Sequence, residues 1–194
     1  MAQGRTSSVV ENMTREKIYT RAGDDGTTGL FYGGRVGKDS ALPRAYGAVD
    51  EAQAILGLVR AEAGKGTELD DILVHICRDL WVLMAELATL PENRHKLVGG
   101  KSLVTAEMVT HLEEMIDSLD ERFTPPTDFV VPGQNKVAAL LDVGRTVARR
   151  AERHSLAAAP APSQACPYLN RLSDLLWTLA RWQDGVSLPV KDVI

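Results

Sequence analysis

LDDILVHICRDLWVLMAELA, residues 69–88, decides the fold. Ile72, Leu73, Ile76, Leu80, Leu83, Met84 and Leu87 recur at intervals of three and four. That spacing puts them on one side of a helix with ~3.6 residues per turn. The stripe stops before Pro91, whose ring cannot continue a helix. The same period appears over Thr105–Leu119, in Met108, Leu112, Met115, Ile116 and Leu119, with Thr105 or Ser102 as candidate N-cap. It appears again over Asn135–Leu156, where Val137, Leu140, Leu141, Gly144, Val147, Ala148 and Ala151 form the apolar side. Ala45–Glu62 is rich in alanine and leucine and ends at Gly64-Lys65-Gly66. A last helix runs from Pro167, suited to a first helical position, to about Gln183. Five helices joined by short to moderate connections, with almost no strand signal, predict an all-α, up-and-down five-helix bundle.

The rest of the composition narrows the class. Of 194 residues, 44% are hydrophobic and 25% charged, the balance of a globular domain and not of a disordered chain. A net charge of −4 argues against the broad basic surface of a nucleic-acid binder, while leaving room for a local cationic pocket. No apolar run approaches the ~20 residues that span a bilayer. Met1–Asn12 lacks the apolar segment of a signal peptide, so a cytoplasmic protein is expected. Met1–Lys17 is polar and reads as a flexible tail ahead of one domain over residues 18–194. Cys77 and Cys166 stand outside any CxxC and read as free thiols. His75, His95, His111 and His154 are scattered, and no metal-ligand spacing emerges.

Five stretches carry candidate chemistry. Residues 18–39 hold six glycines, too many for a regular helix, each costing ~1 kcal/mol there. Within them, Tyr19 to Leu30 reads as a loop whose bare backbone N–H groups, threonine hydroxyls and Arg21 can approach phosphate oxygens. The GxxxxGK[ST] spacing of a P-loop is absent. A surface loop built on Asp-Gly turns has the same composition, and both readings stand. Arg145, Arg149, Arg150 and Arg153 with Glu152 give one helical stretch a local charge of +3 (4 − 1). Arginine forks suit polyphosphate, and a solvated face with Glu152 in salt bridges, which a lone arginine run usually is, is the other reading. Asn170 falls near a helix start, where it could cap the helix or meet a ligand. Asp50-Glu51, early in a helix, could compensate its dipole, or Asp50 could form a buried ion pair with one of the arginines. Phe129-Val130-Val131-Pro132-Gly133 reads as hydrophobic packing at a loop, or as a segment whose proline and glycine hold Phe129 rigidly against whatever lies beside it.

In this order, over about Ile18 to Arg181, the five stretches resemble the PduO-type ATP:cob(I)alamin adenosyltransferases. The resemblance implies transfer of the 5′-deoxyadenosyl group of ATP to reduced cobalamin, with tripolyphosphate released and Mg2+ accompanying the phosphates. It also implies a homotrimer with active sites between subunits, an electron-donating reductase, and an adenosylcobalamin-dependent acceptor enzyme. Thr20, Arg21, Ala22, Gly23, Thr28 and Lys38 become the N-terminal ATP set, completed by Arg149, Arg150, Glu152, Arg153 and Asn170. Phe129 would press on the lower face of the corrinoid, and an Asp50–Arg145 ion pair would shape the corrinoid pocket. The sequence departs from the family pattern at Ala22, Gln53, Gln134, Asn135, Asp142 and Asp184. A bundle that carries or senses ATP or corrinoid without turnover is the alternative.

Overall fold

The structure, a computed structural model, describes residues 18–193. The expected tail over residues 1–17 lies outside them. Five α-helices dominate: α1 (Ala41–Ala63), α2 (Glu68–Leu87), α3 (Ala106–Asp120), α4 (Lys136–Ser155) and α5 (Ala165–Asp184). A 3₁₀ turn, Pro91–Lys96, separates α2 from α3. The stripe read from residues 69–88 forms the middle of the core, with Leu73, Ile76, Leu80, Leu83 and Leu87 fully buried. Leu56 from α1, Leu112 from α3, Leu141 from α4 and Leu169, Leu172, Leu175 and Leu176 from α5 close around it. Burying each such side chain contributes roughly 1.5–3 kcal/mol, which is why the bundle, not helix propensity, fixes the geometry.

Helix ends follow local chemistry. Thr67 caps α2 by accepting from Asp70 N, and Asn135 caps α4 by accepting from Ala138 N at 2.9 Å. Thr105 occupies the N-cap position of α3, but its hydroxyl accepts no capping bond. Two starts differ from the expected ones. Helix α1 begins at Ala41 and α5 at Ala165, so Pro43 and Pro167 each stand third in their helices. Proline is tolerated there because first-turn N–H groups have no intrahelical acceptor to lose.

The glycine-rich segment is more regular than a loop. Two short strands, β1 (Thr27–Gly29) and β2 (Arg35–Gly37), pair antiparallel with Thr28 opposite Val36. Gly33 and Gly34 supply the positive φ of the turn between them. The hairpin docks on the end of α2, where Phe31 N donates to Ala88 O at 2.9 Å. A second ribbon pairs β3 (Val130–Val131) with β4 (Leu188–Pro189) and lies beside the C-terminal end of α5. Among the described residues no helix is long and apolar enough to cross a membrane.

A buried carboxylate locks the α2 end. Glu86, with no exposed surface, accepts from Arg94 Nη2 (2.7 Å), Ser163 Oγ (2.6 Å) and Val104 N (2.8 Å). It therefore joins the 3₁₀ turn, the approach to α3 and the α4–α5 connection at one point.

Candidate functional site

The hairpin carries the first set of candidate residues. Arg21 adopts a left-handed backbone (φ 60°), with its guanidinium 5.7 Å from the centre of the Tyr19 ring. Ala22 N donates to Thr20 Oγ1 at 3.3 Å. Asp25 Oδ1 accepts from Thr27 N (2.9 Å) and Thr27 Oγ1 (2.7 Å), and these bonds hold the Asp25 carboxyl below its usual range. Lys38 Nζ reaches back to Gly23 O at 2.7 Å. A Cβ on Gly23 would lie 2.9 Å from Thr27 O and 3.1 Å from Lys38 Nζ, so only glycine lets these turns close. Thr20, Arg21, Ala22 and Lys38 are exposed, while Gly23 and Thr28 are half-buried. Arg35, which the sequence reading missed, fastens the loop by donating through Nε to Thr27 Oγ1 (3.1 Å) and through Nη2 to Ala22 O.

The last turns of α4 carry the second set. Arg149 and Arg153 are exposed and have no ion-pair or hydrogen-bond partner among the described residues. Arg150 pairs with Glu51 of α1. Glu152 accepts from Asn170 Nδ2 at 3.0 Å. Asn170 is thus no cap: it lies in the second turn of α5 and reaches across to α4. Val36, Ser40 and Leu42 share a cleft with Leu156 and Ala158, which sets the hairpin and the α4 C-terminus at the same end of the bundle. No hydrogen bond or ion pair joins the hairpin to Arg149 or Arg153 among the described residues. Two uncompensated guanidiniums therefore face outward, where an anion could neutralise them.

The Phe129 stretch lines a separate cleft of about 460 Å³, closed on its inner side by Asp142, Arg145, Trp177 and Arg181. Phe129 itself is 90% exposed. Arg181 is buried; its Nη2 donates to Asp142 Oδ2 at 2.6 Å, and its Nε lies 2.9 Å from Asp184 Oδ2 without hydrogen-bond geometry. Burial pushes the Asp184 carboxyl up, against the pull of Arg181, and nearby Asp142 adds to the rise. Trp177 and Arg181 were not among the expected residues. The expected Asp50–Arg145 ion pair does not form within the chain. Arg145 Nε is 3.3 Å from Asp142 Oδ1, and Asp50 is exposed on α1, not buried against an arginine. An i,i+3 carboxylate on its own helix reaches Arg145 first. Among the described residues, no three His, Cys, Asp or Glu side chains gather so as to hold a metal ion.

Comparison with known proteins gives a consistent picture. The family model described as cobalamin adenosyltransferase matches residues 18–183. A corrinoid adenosyltransferase of Citrobacter freundii is 39% identical over 171 residues, covering 87% of this chain and 95% of that protein. One of Mycobacterium tuberculosis (strain ATCC 25618 / H37Rv) is 40% identical over 185 residues, 92% of each chain. Among solved structures, a variant PduO-type ATP:corrinoid adenosyltransferase from Lactobacillus reuteri, complexed with cobalamin and ATP, superposes with a TM-score of 0.80. It shares 28% identity and covers 91% of this chain and 97% of that one.

Proposed function

The chain belongs to the cobalamin adenosyltransferase family, and from that premise we propose how its own residues divide the work. The protein is an ATP-dependent corrinoid adenosyltransferase, and the carrier without turnover gives way to an enzyme. The Co(I) lone pair attacks the ribose C5′ of ATP and forms the Co–C bond. The C5′–O bond breaks, and its electron pair leaves on tripolyphosphate. The nucleophile carries no proton, so no general base is required. What remains for the protein is to align the reacting atoms and to neutralise the departing charge.

Thr20, Arg21, Ala22, Gly23, Thr28 and Lys38 receive the nucleotide, and Arg149, Arg150, Glu152, Arg153 and Asn170 complete its site. The observation that carries this reading is the pair of exposed, unpartnered guanidiniums on α4, Arg149 and Arg153. Within the described residues no hydrogen bond or ion pair joins the hairpin to these arginines, and in a homotrimer the hairpin of one subunit would meet α4 of the next to complete the site. An Asp50–Arg145 ion pair would then form across the same boundary. Phe129 presses on the lower corrinoid face and keeps the axial base off cobalt, which makes Co(I) easier to reach. Mg2+ arrives with the triphosphate. The lack of a carboxylate or histidine cluster among the described residues fits an ion held chiefly by phosphate oxygens and water. A reductase supplies the electron for Co(I), an adenosylcobalamin-dependent enzyme accepts the product, and the cytoplasm supplies the ATP.

An anaerobic assay with ATP and chemically reduced cobalamin tests the division. Wild type consumes the Co(I) absorbance band and yields adenosylcobalamin. Arg149→Ala raises the ATP KM by about 10- to 100-fold, as the loss of one charge-assisted contact worth ~1.5–3 kcal/mol requires. Phe129→Ala leaves ATP binding intact and lowers turnover. Equal loss of ATP affinity in both variants refutes the division.

A further inference from the structure

Phe129 is 90% exposed, so packing does not set its position; its backbone does. That backbone is held by the end of the chain. Val130 and Val131 pair with Pro189 and Leu188, and Val190 N donates to Phe129 O at 2.8 Å. The ribbon in turn hangs from α5 by a short turn. Gly185 (φ 70°) ends the helix, and Val186 N bonds back to Asp184 O at 2.8 Å. Near that helix end, the Arg181 side chain is 2% exposed and lies between Asp142 of α4 and Asp184. A second tie, Asn135 Nδ2 to Gln183 O at 2.7 Å, joins the α4 N-cap to the same point. Lys191 meets Asp128 on the outer side of the Phe129 segment.

We infer that Arg181, acting through the β3–β4 ribbon and the Val190 amide, is a positioning residue for Phe129. The polar partners of Arg181 are Asp142 and Asp184, and no hydrogen bond joins it to Phe129, whose cleft it helps to line. Arg181 sets the end of α5, α5 sets β4, and β4 sets the height at which the phenyl ring meets the corrinoid. The inference rests on the proposed role of Phe129, and its test separates the two.

Val190→Pro is the sharpest probe. Residue 190 opens a 3₁₀ turn, where proline is favoured, and Pro189 already has the extended backbone (φ −65°, ψ 138°) that precedes a proline without strain. The substitution deletes the one N–H that bonds to Phe129 O and disturbs no buried side chain. Arg181→Lys is the second probe; it keeps the charge but cannot bridge both carboxylates with a fork. Readouts are kcat and KM for each substrate, Tm, and the EPR spectrum of cob(II)alamin with ATP, in which nitrogen splitting reports the bound axial base. Val190→Pro should lower kcat by about tenfold or more, within the ~100-fold that a 1 Å misplacement costs. It should also restore nitrogen splitting, leave the ATP KM and Tm near wild type, and add nothing to Phe129→Ala. Arg181→Lys should show the same spectral change. If Phe129→Ala has wild-type turnover and spectrum, the role of Phe129 fails and the inference with it. If Phe129→Ala is impaired but both probes keep wild-type kcat and spectrum, the inference alone is overturned. Loss of ATP binding and Tm together in both probes overturns it too, because the cluster would then be merely structural.

Discussion

Replacing Glu86 by alanine removes the acceptor of three hydrogen bonds at once. Arg94 suffers most: its Nη1 already lacks a partner, so losing the 2.7 Å bond from Nη2 leaves the guanidinium unpaired. Val104 N loses its acceptor in a buried setting as well. Removing one member of a buried ion pair costs about 3–5 kcal/mol, and the 17% exposure of the Arg94 side chain argues for the lower end, about 3 kcal/mol. For a chain of this length, each kcal/mol shifts Tm by roughly 2–4 °C, so a fall of about 6–12 °C is expected. Thermal unfolding followed by circular dichroism measures it. Glu86→Leu combined with Arg94→Leu should recover part of the loss, since the stranded charge goes with its partner while Val104 N and Ser163 Oγ still lack their acceptor. A fall below about 3 °C in Glu86→Ala, or no recovery in the double variant, would refute the reasoning.

Two further outcomes test the site and its scaffold. Gly34→Ala places a Cβ 2.4 Å from Leu90 Cδ1 at a φ of 94°, so the half-buried Leu90 side chain must turn aside and the strained turn should shift the hairpin. The ATP KM should rise several-fold, while Gly26→Ala, which meets no neighbour, bears only the ~1–2 kcal/mol of left-handed backbone; titration with MgATP compares them. Asp70 accepts from Arg60 Nε (2.6 Å) and Gly66 N (3.0 Å), bonds that lower its carboxyl below the ordinary value. A depressed folded-state pKa contributes stability that is full above the unfolded value of about 3.9 and lost as pH falls through the folded one. The Tm gap between wild type and Asp70→Asn should therefore be widest near neutrality and shrink below about pH 4.

The bundle was legible because its signal is periodic. Residues 69–88 repeat their apolar side four times over, and the core follows from that stripe. The hairpin was not legible, because glycine removes the side-chain pattern by which a strand is recognised; only the backbone bonds reveal it. Candidate residues were found where several polar groups cluster in sequence, as in Thr20–Thr28 and Arg149–Arg153. Arg35, Trp177 and Arg181 were missed because each stands alone on its element and gains meaning only from a partner far along the chain. Asp142 offered a usable signal. It follows Leu141 on α4 and is buried, and a carboxylate so placed calls for cationic partners, which Arg181 of α5 and Arg145 of its own helix supply. Asn170 was misplaced because the start of α5 was read two residues late.

Among the described residues, the glycine-rich hairpin meets the end of α2 through a backbone bridge between Phe31 and Thr89, with Phe31 N donating to Ala88 O. None of its residues belongs to the buried core, whereas opening α2 or α5 undoes that core. The two should therefore keep separate clocks: hairpin amides exchange with solvent in local excursions, and core amides wait for global unfolding. A nucleotide held between the hairpin and another subunit would slow the faster clock, making hydrogen exchange of Thr27–Gly37 a direct gauge of occupancy.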